Sequence, residues 1–269
     1  MATGTFPKIR QVVRLPYVIL ILSLIFSFLI WELIVTIWQF PPFILPSPGM
    51  VWRRLLLALQ DGSLIRNSLV TLMEVLAGMI LGVGTATALG YVLAKSVPLE
   101  RFLSPYIVAS QSVPLVAIAP LLVIWFGPGL SSKVLICALI VFFPVLINTI
   151  VGMRSVSADL RDLMRSLQAS RWQTFKLLEV PAALPVFLGG LRIGATLAVI
   201  GAVVGEFVGS KSGLGFLINV GRGLYDTALV FVAVFTLIAM AMAMYGLVAL
   251  LESHLLSWQK SPQNPTLPH

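Results

Sequence analysis

The densest run of ionisable side chains in this 269-residue chain lies between Arg154 and Gly190. Asp159, Arg161, Asp162, Arg165, Arg171 and Lys176 alternate there with Leu160, Leu163, Leu167, Trp172, Phe175 and Leu178. The apolar positions recur at helical spacing, which predicts two short amphipathic helices meeting near Ala169–Ser170. Pro181 and Pro185 are expected to end the second helix and steer the chain back to the membrane. No nucleophile–base pair or ligand cluster falls in this run, so its chemistry is adhesion. Such helices either lie on a membrane surface or dock against a partner, with charges setting the register.

A second set of polar residues is sparse and embedded in apolar sequence. Glu74 and Glu206 each interrupt a long apolar run, and Glu32 stands near the end of another. Carboxylates at membrane depth are expensive and often line or gate a solute path, though hydrogen bonding between helices is an equally physical role. Gln111 precedes Pro114 and Asn148 follows Pro144. Each proline leaves a backbone carbonyl unpaired and bends its helix, so both residues are candidates for the same path. The candidate pathway residues are therefore Glu206, Gln111, Asn148 and Glu74.

Several chemistries lack their residues. The one cysteine, Cys137, allows no disulfide within the chain, and the two histidines, His254 and His269, lie near the C-terminus. No metal site and no histidine-based proton relay is expected. There is no Gly-x-x-x-x-Gly-Lys-Ser/Thr loop, so the chain is expected to bind no ATP and no other cofactor itself. It reads as a non-enzyme.

The elements that hold these residues are membrane spans. Hydrophobic residues make up 58% of the chain and charged ones 10%, against about 25% charged in soluble domains. Lipid must take up that apolar surface, which makes membrane lipid an expected partner. The formal net charge of +8 fits basic membrane loops better than nucleic acid, which is not expected as a partner. Six apolar segments follow: Pro16–Trp38, Asn67–Ala94, Phe102–Phe126, Val134–Met153, Ile193–Gly209 and Thr227–Leu251. Leu177–Leu191 is read as a lead-in to the fifth, broken by its prolines.

Six spans with the N-terminus inside place twelve of the eighteen Lys and Arg residues on the cytoplasmic side, among them Lys8, Arg10, Arg14 and Lys260. Six, including Lys133 and Lys211, fall outside. That asymmetry predicts both termini in the cytoplasm, together with the loop 154–190. Among the loops, Met50–Gln60 is expected to form an amphipathic interfacial helix, Gly127–Ser132 a tight turn, and Gly209–Asp226 a glycine-rich connection.

The loop resembles the signature loop of binding-protein-dependent ABC importer permeases. That family carries Glu-Ala-Ala, a glycine six residues after the glutamate, then Ile-x-Leu-Pro. Here the same spacing gives Asp162-Leu163-Met164, Gln168, Leu178 and Val180-Pro181. Leu45-Pro46-Ser47-Pro48, Trp125-Phe126-Gly127, Phe142-Phe143-Pro144 and Gly205-Glu206 resemble the nitrate, sulfonate and taurine branch. The resemblance covers nearly the whole chain and implies one all-α domain, 1–269, with the fold of a type I importer permease.

It also implies partners: an ATP-binding subunit, an extracytoplasmic solute-binding protein and a second permease copy. Asp162, Arg165, Gln168, Ala169, Ser170 and Arg171 would make the contact with the ATPase, where Gln168 replaces the family's glycine. Closure of two ATPases would pull two such loops together and flip the path from inward- to outward-facing. Within the branch the look of the chain leans toward vitamin and vitamin-precursor permeases, riboflavin first, ahead of nitrate, sulfonate and taurine. An ion-coupled secondary transporter is the alternative, and it calls for more ionisable residues in the spans.

Overall fold

The computed structural model describes residues 15–260; Lys8, Arg10, Arg14, His269 and both chain ends lie outside them, as does the side chain of Lys260. Every regular element among the described residues is helical. The helices are α1 (Leu15–Trp38), α2 (Pro48–Gln60), α3 (Ser63–Lys95), α4 (Val97–Gln111), α5 (Leu115–Phe126) and α6 (Leu130–Arg154), followed by α7 (Ala158–Ser166) and α8 (Arg171–Thr174). A π turn, Phe175–Glu179, leads into α9 (Val180–Phe207); α10 (Leu214–Gly223), α11 (Thr227–Leu255) and a 3-10 turn, Ser257–Lys260, complete the order. Among the described residues five helical stretches are long and apolar enough to span a bilayer, and a sixth span results if α4 and α5 count together. The chain is an all-α polytopic membrane protein.

Three expectations need correction. The bend expected at Pro114 is far sharper than a kink: it divides Phe102–Phe126 into α4 and α5, which meet at 93°. The break falls at Ser112–Pro114, where proline has no N–H for the ladder and pushes Val113 away from helical backbone. The fifth segment is longer than Ile193–Gly209, because Arg171–Phe207 runs as one 37-residue stretch. Pro181 and Pro185 lie inside that continuous stretch, and just before them the ladder loosens to a π turn, the Val180 N–H bonding the Phe175 carbonyl, so the helix passes the prolines without ending. The prolines therefore carry the loop into the span instead of ending it. The glycine-rich connection holds α10, whose Leu214, Leu217 and Ile218 are buried against Val232 and Ala233 of α11.

Helix α6 is the spine. It packs on α3 along one side and on α9 along the other. In lipid no hydrophobic gain draws helices together, so close backbone approach and dispersion must do it. Gly82 of α3 lies so near Ala138 that an added Cβ would stand 2.6 Å from its carbonyl. Gly201 of α9 faces the same turn from the other side, 2.9 Å from the Cα of Cys137 by the same measure. Val75, Val141, Val145, Leu146, Ala198 and Ala202 fill the spaces between. By contrast α1 is largely exposed along its described length and touches the bundle through Trp31. Trp31 Nε1 donates to the Pro46 carbonyl at 3.1 Å and its ring stacks on Phe231.

Candidate functional site

At one end of the bundle the 154–190 segment folds as two capped helical pieces. Ser157 caps α7 by accepting from the Leu160 N–H. Ser170 caps α8 by accepting from Gln173 N at 3.2 Å, while Gln173 Oε1 accepts from Ser170 N at 2.7 Å. This reciprocal capping box fixes the start of the second piece. Between them Gln168 takes a left-handed φ of 53°. The Gln168 N–H donates to the Arg165 carbonyl at 2.9 Å and the Ala169 N–H to the Met164 carbonyl at 3.0 Å. That pair of bonds is a Schellman motif with Gln168 at its left-handed position. The position therefore favours glycine because of its backbone angle.

The surface so presented is open. Asp162 and Arg165 form an ion pair at 2.8 Å, yet their side chains remain 64% and 80% exposed. Leu163, Leu167, Trp172 and Leu177 are also exposed, and Arg171 stands beside them. Behind this face the segment is tied to the bundle. Lys95 at the end of α3 pairs with buried Glu179, Arg154 with Glu100, and Arg161 Nη2 donates to the Met153 carbonyl at 3.0 Å. Tyr91 meets Phe175 edge-on at 5.3 Å, and Trp172 stacks on Phe175 at 5.5 Å. All six residues singled out for coupling, Asp162 to Arg171, thus fall on one anchored turn.

The opposite end carries a buried polar knot. Glu74 of α3 pairs with Lys133 of α6 at 2.8 Å, and both are buried. Lys133 Nζ also donates to Ser210 Oγ at 2.6 Å. Glu206, with no exposed surface, accepts from Thr71 Oγ1 at 2.6 Å and from the Gly215 N–H. Leu214 N donates to Thr71 Oγ1 at 2.8 Å, and Gly213 N donates to Asn67 Oδ1 at 2.7 Å. Gly213 has φ of 108°, and Glu206 fills the space its side chain would need. The first donors of α10 therefore end on side chains from α3 and α9, as a buried helix start requires. A cavity of about 370 Å³ opens beside the knot, lined by Val70, Glu74, Gly129, Lys133, Lys211 and Ser212. Glu74 Oε2 is buried with no donor of its own, and the Glu206 carboxyl lies beside the Glu74 carboxyl.

The four pathway candidates do not form one cluster. Glu74 and Glu206 share the knot. Asn148 lies midway along α6, where its Nδ2 donates to the Pro144 carbonyl at 2.8 Å and its side chain presses on Gly190 of α9. Gln111 is exposed at the end of α4, beside the break. Sequence reasoning missed Lys133, which it counted as a loop cation because the apolar run begins one residue later. The overlooked signal is that Ser132-Lys133 lies within one turn of the helix start, in reach of a carboxylate on a neighbouring span. Among the described residues no group of three metal-ligating side chains comes together.

Residues 78–257 match the model of the family described as binding-protein-dependent transport system inner membrane component. The riboflavin transport system permease protein RibX of Chloroflexus aurantiacus is 46% identical over 261 residues, covering 96% of this chain and 97% of that protein. The formylaminopyrimidine transport permease protein ThiX of Halalkalibacterium halodurans is 35% identical over 219 residues, 81% of this chain and 87% of that one. The taurine transport system permease protein TauC of Escherichia coli is 32% identical over 241 residues, 87% of each.

Proposed function

Because the chain belongs to the family of binding-protein-dependent transport system inner membrane components, and is the permease subunit of an ABC importer, we propose that it imports riboflavin or a close flavin relative. The observation that carries the solute assignment is the 46% identity to the riboflavin permease, sustained over nearly the full length of both chains. In the spans, apolar lining with few charges suits a largely neutral organic solute.

The proposed arrangement puts residues 1–269 to work as one domain, with both termini and the loop 154–190 in the cytoplasm. The turn Asp162–Arg171 docks on the ATP-binding subunit, which supplies all the ATP chemistry. Its exposed Leu163, Leu167 and Trp172 supply apolar area, and Asp162, Arg165 and Arg171 set the register. A second copy of the chain completes the path, lipid surrounds the pair, and an extracytoplasmic binding protein delivers solute to the opposite end. Along the path, Glu74 faces the cavity at that end, Glu206 gates it by holding α10 to α3, Asn148 stands one turn after Pro144 in α6, and Gln111 stands at the break between α4 and α5.

The solute is tested by titrating the partner binding protein with riboflavin and by following labelled riboflavin uptake into vesicles carrying the whole importer. Tight binding and ATP-dependent uptake are expected. Binding of a sulfonate or nitrate in its place overturns the solute and leaves the importer role intact. Coupling is tested separately with Ala169→Glu. That variant should reach the membrane normally and lose solute-stimulated ATP hydrolysis; full transport would remove the loop from the coupling step.

A further inference from the structure

Behind the docking turn lies a hollow of about 640 Å³, bounded by the end of α3, by α7 and α8 and by the π turn. Lys95, Arg161, Arg165 and Arg171 line it, with Glu179 as the acidic group. Lys95 neutralises Glu179, and Asp162 neutralises Arg165 from outside the hollow. Arg161 and Arg171 are left as net positive charge. Arg161 Nε is buried with no hydrogen-bond partner, and so is Glu179 Oε2. The hollow therefore lacks both an acceptor for a guanidinium and a donor for a carboxylate oxygen.

A second hollow of about 350 Å³ adjoins it on the bundle side, almost wholly apolar, between α3, α6 and the start of α9. Tyr91 lines both. Thr174 and Glu179 face the first while their neighbours Phe175 and Val180 face the second, so the two meet along one seam. Ala88, Leu184 and Phe187 continue the apolar wall.

We propose that this paired hollow binds one anionic phospholipid: its phosphate lies against Arg161 and Arg171, a headgroup hydroxyl donates to Glu179, and the start of an acyl chain enters the apolar slot. A guanidinium fork matches phosphate oxygens, and basic residues at the ends of spans attract anionic headgroups. The adjoining slot singles out a lipid over a free anion or an acidic side chain of the ATPase, neither of which would fill it. The proposal needs the chain in a bilayer with this loop at the membrane surface. It does not depend on which solute is carried.

The test uses the purified importer with its ATPase bound, by native mass spectrometry. Phosphatidylglycerol and phosphatidylcholine are offered at equal concentration. Phosphatidylglycerol should be retained about tenfold more, the ratio expected for the headgroup hydroxyl bonded to the Glu179 carboxylate, which phosphatidylcholine has no donor to make. Arg171→Gln, at an exposed position, should reduce that preference. Ala88→Trp, also exposed, should block the slot and lower retention of phosphatidylglycerol with the basic groups intact. Three results overturn the proposal. Equal retention of the two lipids excludes charge recognition. Displacement of the lipid by millimolar inorganic phosphate makes it a free-anion site. Retention that appears only when the ATPase is removed shows that the ATPase itself occupies the hollow.

Discussion

The two ends of the bundle treat the same side-chain chemistry in opposite ways. At one end Glu74, Lys133, Glu206 and Thr71 are buried and bonded to one another and to the start of α10. At the other end Asp162 and Arg165 pair in the open and leave most of their surface free. Inside the membrane a polar group has no water to fall back on, so its partner must be built into the chain. At the surface water substitutes, and a charge stays available for another polypeptide. The contrast separates groups that hold helices in place from groups positioned to be gripped.

This contrast breaks most visibly at Lys133. Lys133→Ala leaves Glu74 buried without its counter-charge, which should destabilise the protein by about 3–5 kcal/mol. Thermal unfolding of the detergent-purified protein reads this as a large drop in midpoint; an unchanged midpoint would mean that water reaches Glu74. Thr71→Val removes a hydroxyl that serves both Glu206 and the Leu214 N–H, so a loss of about 1–3 kcal/mol is expected in the same assay. At the other end, Gln168→Gly should stabilise the turn by about 1 kcal/mol, since the left-handed backbone no longer carries a side chain. Loss of stability there would show that the Gln168 side chain makes a bond worth more than the strain. Arg165→Ala should shift stability by only about 0–1 kcal/mol, as for any exposed pair. Its effect belongs instead in solute-stimulated ATP hydrolysis by the assembled importer, which should fall.

Much of the fold was legible because lipid makes a simple demand. Uninterrupted apolar runs fixed α1, α3, α6 and α11 to within a few residues. What escaped were places where one residue decides against its surroundings. At Pro114 a bend was legible, but its size, a right angle that divides Phe102–Phe126 into two helices, was not. Pro181 and Pro185 read as breakers, but the π turn just before them lets the helix run on. In the 154–190 loop, the family resemblance marked Gln168 as a departure from glycine. What favours glycine there is φ, which no spacing displays. At the knot, Glu74 and Glu206 were legible as buried carboxylates; their partners were not, because Lys133 and Thr71 are far away in sequence and join them only through the crossing of α3, α6 and α9.

The right-angle bend between α4 and α5 has a consequence for the surroundings of the chain. With 15 and 12 residues the two helices are about 22 and 18 Å long, so neither crosses a hydrocarbon layer of about 30 Å alone. If α4 and α5 together make the sixth span, the elbow at Ser112–Pro114 lies at depth, with the α-helical ladder interrupted. Hydrocarbon solvates no peptide group, so this flank is unfit to be an outer wall. It has to be turned toward protein or toward a water-filled passage, which gives an otherwise greasy cylinder a front and a back.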